Sequence, residues 1–381
     1  MHPAARPLLL VGSATWLVFA GMAWAAEAPA ARSAPSRPGT AAAPAPVPAS
    51  TPTAAPAAVA TPSVLPGRKV GRTDYVALAD VARQLELKLA WIEPGKKLTL
   101  KGTRGQAEIE TETRDITVNG LRVFLGDPVT SLGGQAYVSR IDYERCLTPL
   151  LRPGFGVASR PVPKTIVLDA GHGGKDPGNT KLKLSEKTLT LDLVRRTRKL
   201  LEKEGFRVVL TREDDSFVAV PQRAMLANLA KADAFVSVHF TALASNDTKT
   251  SGVEVYTFAP RFQRSTNAWG PAEKNDTEDY ASPGNRFDHW NVVLAQALHR
   301  QFVVGLKAPD RGKKLMHLAV LRPLNCPGAL IECGFLTSET EAPKIATPEY
   351  RQKLAEALAA GIREYAATLG KIARPSTGAK P

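Results

Sequence analysis

The chain has 381 residues and 44% hydrophobic content, enough for one large domain or two modest ones, which excludes a chain disordered throughout. Its 50 Lys and Arg against 36 Asp and Glu give a formal net charge of +14, which favours an anionic partner such as a nucleic acid, a membrane surface or an acidic wall polymer. Three cysteines are too few for a disulfide-dense scaffold, and no CxxC pair exists for a zinc ribbon.

Residues 1–25 read as an export signal, with His2 and Arg6 ahead of an apolar run over 8–20 and Ala23-Trp24-Ala25 as a small-x-small cleavage site. That run is shorter than the ~20 residues a spanning helix needs. The expectation is a periplasmic or secreted, wall-associated protein that meets the membrane only during export. Residues 26–63 collapse to Ala, Pro, Ser and Thr, the composition of an extended tether.

Residues 64–153 read as a small α+β module. Helical spacing covers 80–89 through Val81, Leu85 and Leu89, and short strands follow at 98–100, 107–110 and 116–118, with Asn119-Gly120 as a hairpin turn. Tyr75-Val76-Ala77-Leu78 and Tyr137-Val138-Ser139-Arg140 look like two openings of one repeated unit. With Trp91 and the Val118-Asn119-Gly120 turn, the pattern resembles the domain named after the amino terminus of copper amine oxidases. Copper itself is not implied, because this segment contains no histidine. The module reads as a binding or spacing unit whose removal should leave hydrolysis of a small soluble substrate largely intact but reduce action on insoluble wall.

The second domain spans 163–370. Thr165-Ile166-Val167-Leu168-Asp169 reads as a buried strand that stops at Gly171-His172-Gly173-Gly174. Ser185 is the candidate N-cap of a helix carrying Leu189, Leu193, Val194, Leu200 and Leu201, which puts Glu186 in its first turn. Gly205 closes that helix before a strand at 207–210. A helix over 222–231 leads to Ala234-Phe235-Val236-Ser237-Val238-His239, a second buried strand ending in histidine. Further elements are expected at 252–258 (strand), 292–306 (helix), 329–331 (strand) and 348–369 (helix). This alternation predicts an α/β fold, a twisted central sheet with helices on both faces, preceded by the small α+β module. Open sheets of this kind place their sites beyond the carboxyl ends of the strands. A lone His172 would ordinarily be structural, and a lone Glu186 would simply favour the positive helix end. Two histidines at strand ends, with a glutamate at the start of the intervening helix, can instead converge on one ion.

The run 166–178, Ser185-Glu186-Lys187, Thr211-Arg212-Glu213-Asp214-Asp215, the helix from Arg223 to Asn228, Ser237-Val238-His239 and Ile331-Glu332-Cys333-Gly334-Phe335-Leu336 together resemble the zinc-dependent N-acetylmuramoyl-L-alanine amidases of the cell-wall type. The resemblance implies Zn²⁺ ligands at His172, Glu186 and His239, Glu332 as the catalytic carboxylate, and peptidoglycan rather than nucleic acid as partner. The implied reaction cleaves the amide between N-acetylmuramic acid and L-alanine, in wall remodelling, daughter-cell separation or recycling. Another exported zinc amidohydrolase or peptidase, and an inactive wall-binding protein, remain open beside it. Phe240-Thr241-Ala242 departs from the small or amide residues common in that family and suggests a narrower or more apolar pocket. Strand alternation turns Cys333 away from Glu332 and into the core, and Cys146 reads as a buried apolar residue. Spacing leaves open whether Cys326 and Cys333 pair. His299 reads as a surface or packing residue, His317 as either an ordinary hydrogen-bonded histidine or a residue bordering the substrate cleft, and His289 has no assigned role.

Residues 260–291 are too long for a plain connection, which in such domains takes about 2 to 6 residues. Some members of the resembled family carry a regulatory helix here that a partner displaces. The acidic stretch from Ala272 to Tyr280 offers Glu273 and Glu278 as blocking ligands, with an activator protein then required; a solvated loop is the alternative. Residues 371–381 form a basic tail, expected to be disordered.

Overall fold

The computed structural model describes residues 63–181, 183–243, 247–267, 276 and 279–373. The export signal 1–25, nearly all of the tether, most of the basic tail, and both Glu273 and Glu278 lie outside the described residues. No helix among the described residues is long and apolar enough to cross a membrane.

An eleven-stranded sheet forms the backbone of the molecule. Its first four strands, Arg207–Leu210, Thr165–Ala170, Ala234–Thr241 and Gly328–Phe335, are parallel. Val253–Phe258 then pairs antiparallel with Gly328–Phe335 and parallel with Asp310–Met316. The pleat sends neighbouring residues to opposite faces. Ile166 and Leu168 join a core with the helices Glu186–Lys203, Asp288–Arg300 and Pro348–Ala373, through Leu193, Leu294 and Leu358 among others. Val167 and Phe235 face the other way, against Ala224 and Ala227 of the helix Val220–Leu229 and the turn bearing Leu321 and Leu324. Helices therefore cover both faces, as the alternation of elements predicts.

The sheet does not stop at Asp310–Met316. Its edge pairs in parallel with Leu121–Phe124 at Lys313 and Val123, and an antiparallel meander of Asp115–Val118, Gln106–Glu110, Lys97–Lys101 and Lys88–Glu93 continues it. Asn119 and Gly120, at φ 53° and 79°, make the hairpin turn between Asp115–Val118 and Leu121–Phe124, the left-handed pair that a two-residue hairpin needs. Val292, on the helix Asp288–Arg300, is buried in the same cluster as Val118 and Val123.

A separate four-stranded sheet holds the two repeat openings side by side. Thr73–Ala77 and Gln135–Ser139 run antiparallel with Val76 opposite Val138, and each strand leads directly into a helix, Leu78–Gln84 and Arg140–Asp142.

Two expectations need correction, and one open question closes. The first helix ends at Gln84 rather than 89: Glu86 adopts φ 58°, the Leu87 N–H bonds to the Ala82 carbonyl at 2.8 Å, and Leu89 belongs to the strand Lys88–Glu93. The later helix starts at Asp288, four residues earlier than expected, and its final turn, Gln301–Gly305, widens to π geometry. All three cysteines are buried and free, so Cys326 and Cys333 do not pair; Cys333 lies in the apolar core.

Candidate metal centre

The strand Thr165–Ala170 ends in a turn that two arginines hold from below. Arg223 donates to the carbonyls of Ala170 at 2.6 Å and His172 at 2.9 Å, and Arg212 donates to those of Ala170 at 3.1 Å and Gly171 at 3.0 Å. Arg223 is neutralised by the buried Asp169 carboxylate at 2.8 Å, which also accepts from Thr211 at 2.6 Å and Ser237 at 2.7 Å. Held this way, His172 takes φ 61°, rare for a residue with a side chain, and its ring turns toward the carboxyl ends of the neighbouring strands. A Cβ at Gly171 would sit 2.4 Å from the His239 ring, and one at Gly178 would sit 2.7 Å from a Glu186 oxygen, so both glycines are demanded by close approach.

Glu186 opens its helix, yet Ser185 makes no side-chain cap there. A two-stranded ladder of Thr180–Lys181 with Leu184–Ser185 delivers the helix instead, and Asn179 accepts the Glu186 N–H at 2.9 Å. One Glu186 oxygen accepts the backbone and side-chain N–H groups of Asn179 at 2.9 and 2.8 Å. The other lies 3.1 Å from His172 Nε2 and 2.9 Å from His239 Nδ1, and accepts the Phe240 N–H at 3.1 Å.

One ligand atom from each of His172, Glu186 and His239 lies within 4.8 Å of the other two, a spacing at which they could hold a metal ion. The rings meet edge to face at 5.0 Å, and His172 Nδ1 is 2.9 Å from Asp176. Burial opposes the charged form of Glu186, but hydrogen bonds from both imidazoles keep its carboxyl far below the ordinary range. Burial likewise works against a charged His172, but Glu186 and Asp176 push it up to about 9. The negative charge that draws a proton onto His172 equally favours a cation shared among the three side chains.

Two imidazoles and a carboxylate are a donor set that suits zinc and leaves a position open. Carboxylate and amide groups behind the ligands, Asp176 on His172 and Asn179 on Glu186, supply the outer contacts such sites use to fix ligand orientation. Glu332 sits within the strand Gly328–Phe335, paired in register with His239. It is buried, and its Oε2 has no hydrogen-bond partner among the described residues, which is costly unless a ligand completes it. Burial first, and the charge of Glu186 after it, raise its carboxyl to about 7 against the pull of His239.

A cleft of about 790 Å³ opens over this group, lined by His172, Glu186, His239, Glu332 and His317. His317 thus borders the cleft, with Nε2 3.0 Å from the Gln263 carbonyl. His299 does not lie at the surface: it is fully buried, with Nε2 2.8 Å from Asp310. His289 is buried beside Trp290, with Nε2 2.7 Å from the Pro153 carbonyl, and joins neither group. Phe240 does not narrow the pocket, because its side chain enters the core while Thr241 and Ala242 reach the cleft. Sequence reasoning missed Asp169 and Arg223 as supports; the one signal was an aspartate inside an otherwise apolar strand.

A family described as N-acetylmuramoyl-L-alanine amidase matches residues 166–364. N-acetylmuramoyl-L-alanine amidase AmiC of Escherichia coli O6:H1 is 32% identical over 241 residues, covering 58% of this chain and 57% of that protein. The uncharacterised protein YqiI of Bacillus subtilis is 33% identical over 202 residues, covering 53% of this chain and 84% of that protein. A germination-specific N-acetylmuramoyl-L-alanine amidase of Bacillus subtilis is 30% identical over 217 residues, covering 53% of this chain and 79% of that protein.

Proposed function

The chain belongs to the N-acetylmuramoyl-L-alanine amidase family, and from that membership we propose a zinc-dependent enzyme that hydrolyses the amide between N-acetylmuramic acid and L-alanine in peptidoglycan. The observation that carries this reading is the clustering of His172, Glu186 and His239 beside Glu332 in one cleft.

In this reading the three clustered side chains hold the ion and Glu332 does the proton work. Bound zinc supplies Lewis acidity to a water and to the amide carbonyl. Glu332 takes the proton from that water as its oxygen bonds to the carbonyl carbon. The same carboxyl then delivers the proton to the amide nitrogen as the C–N bond breaks, so no covalent enzyme intermediate is required. A carboxyl poised near 7 suits both halves of this exchange. Asp176 orients His172, while Asn179 and the Phe240 N–H orient Glu186.

The substrate places the work outside the cytoplasm, in the periplasm or the wall. Residues 64–153 are read as the module resembling the amine oxidase amino-terminal domain, on the strength of the paired repeat openings. We retain as a proposal that Glu273 or Glu278 blocks the cleft until an activator protein displaces that stretch. Asp276, between them, lines the cleft and accepts from the Ser265 hydroxyl at 3.1 Å.

Digestion of purified wall tests the central reading. The expected products are intact stem peptides with a free L-alanine amino end, abolished by chelator and restored by zinc. Cuts within the stem would make the protein a peptidase, and binding without release would make it an inactive wall-binding protein.

A further inference from the structure

The segment that walls the cleft beside His317 is gripped from behind by the amino-terminal module. Residues 263–266 run along the end of the strand Asp310–Met316, exchanging bonds between Thr266 N–H and the Leu315 carbonyl at 2.8 Å and between Leu315 N–H and Thr266 Oγ1 at 2.8 Å. On the cleft side, His317 Nε2 donates to the Gln263 carbonyl at 3.0 Å and the His317 N–H donates to Ser265 Oγ at 3.2 Å. On the other side, the Gln263 side chain leaves the catalytic region and enters the module.

There it meets Asp142, a carboxylate only 1% exposed that gathers four donors. Asp142 accepts from Gln263 Nε2 at 2.9 Å and Gly126 N–H at 2.8 Å through one oxygen, and from Asp127 N–H at 3.0 Å and Ser139 Oγ at 2.7 Å through the other. Gln263 is itself 2% exposed and lies directly on Gly126, where a Cβ would stand 2.2 Å from Nε2. Arg114, also from the module, donates to the Thr266 carbonyl at 3.0 Å. A buried amide bonded to a buried carboxylate is a stiff joint, because parting them leaves the Gln263 donor unpaired out of water.

We propose that Gln263 is a positioning residue through which Asp142 of the amino-terminal module fixes the His317 wall of the substrate cleft. The module is then part of the substrate-binding apparatus as well as any wall-binding unit. This rests on the amidase reading for the identity of the substrate but not for the joint itself.

The test uses the full chain, a soluble muropeptide, and Gln263→Leu and Gln263→Glu. Leucine keeps the volume and removes the donor; glutamate sets a second carboxylate against Asp142. Both should raise KM about five- to tenfold while kcat stays within about twofold, because the wall holds substrate and does not touch the reacting bond. Zinc content should not change, and the His317 ring signals in a ¹H–¹⁵N spectrum should move. If the Gln263 variants do not fold, Gly126→Ala displaces the same side chain from the module's side and should give the same KM and His317 changes.

Unchanged KM with unmoved His317 signals would overturn the proposal, as would kcat and KM changes that merely track lost thermal stability. If wild-type protein cuts no muropeptide, the amidase reading fails, and the His317 spectra of the same variants still decide whether the joint exists.

Discussion

Glu332 and His239 lie opposite each other in register on neighbouring strands, yet the proposed roles separate them cleanly. Glu332→Ala should retain zinc and lose about 10²- to 10⁴-fold in rate, whereas His239→Ala should lose metal and activity together; metal analysis beside turnover reads both. Zinc lost from the Glu332 variant would make that residue a ligand. Away from the cleft, Asp288 gives a pH prediction. Burial raises its carboxyl from 3.8 to about 7 even though Asn285 donates to it, so the fold keeps a proton that the unfolded chain releases. Its contribution is therefore most favourable in acid and is lost as pH rises from about 4 to 7. Neighbouring His289, lowered by burial to about 4, slopes the opposite way, losing stability as pH falls from about 6.5 to 4. Melting Asp288→Asn against wild type should show the variant gaining above pH 7 and the difference closing toward pH 4. At this scale the candidate ligands were legible because each stands in a short local motif. Arg223 was recognised as part of a motif but not as the partner of Asp169, 54 positions away, because only the folded sheet brings the two together.

The turn after the strand Thr165–Ala170 is the element on which the candidate site depends. Its glycines were read from sequence as giving a sharp bend and room for substrate. The structure adds that Gly171 makes room for a candidate ligand: the His239 ring occupies the space where a Cβ would be. Gly171→Ala should therefore lower zinc affinity by about tenfold or more, with far-ultraviolet circular dichroism unchanged, because the ring must swing while the strand stays paired. Zinc titration checks it, and wild-type affinity would show that the ring has slack. The helix bearing Glu186 was placed correctly, but its start was attributed to a serine cap. Local pattern shows where a helix begins; it does not show that a two-rung ladder with Asn179, rather than the Ser185 hydroxyl, sets that beginning.

At the scale of the molecule, the sequence presents two units and the structure joins their sheets. The sheets meet at one parallel pair, Lys313 with Val123, backed by Val292 in the module's core, by the Arg122 N–H donating to Asp310 at 2.8 Å and, beyond the sheets, by Gln263 on Asp142 and Arg114 on Thr266. No periodicity announces such a contact, since its partners stand almost two hundred positions apart. Deleting 64–153, which the sequence alone marks as harmless to soluble activity, should instead uncover the edge of Asp310–Met316 and the buried Lys313. The expected result is a lower melting temperature and aggregation seen by light scattering; a monomeric truncation that melts like the full chain would show the junction to be dispensable.

The strand carrying Glu332 has a consequence in time as well as in space. Gly328–Phe335 lies between Ala234–Thr241 and Val253–Phe258, strands that precede it in the chain by some seventy residues or more. The amino-terminal meander can form from local hairpins as soon as it emerges, while the central sheet must hold a gap until its late strand arrives. A chain still in transit has all three candidate metal ligands but neither the strand that braces His239 nor the Glu332 carboxyl that strand carries. Assembly order thus acts as a delay: the candidate site is completed only once the strand Gly328–Phe335 has been made.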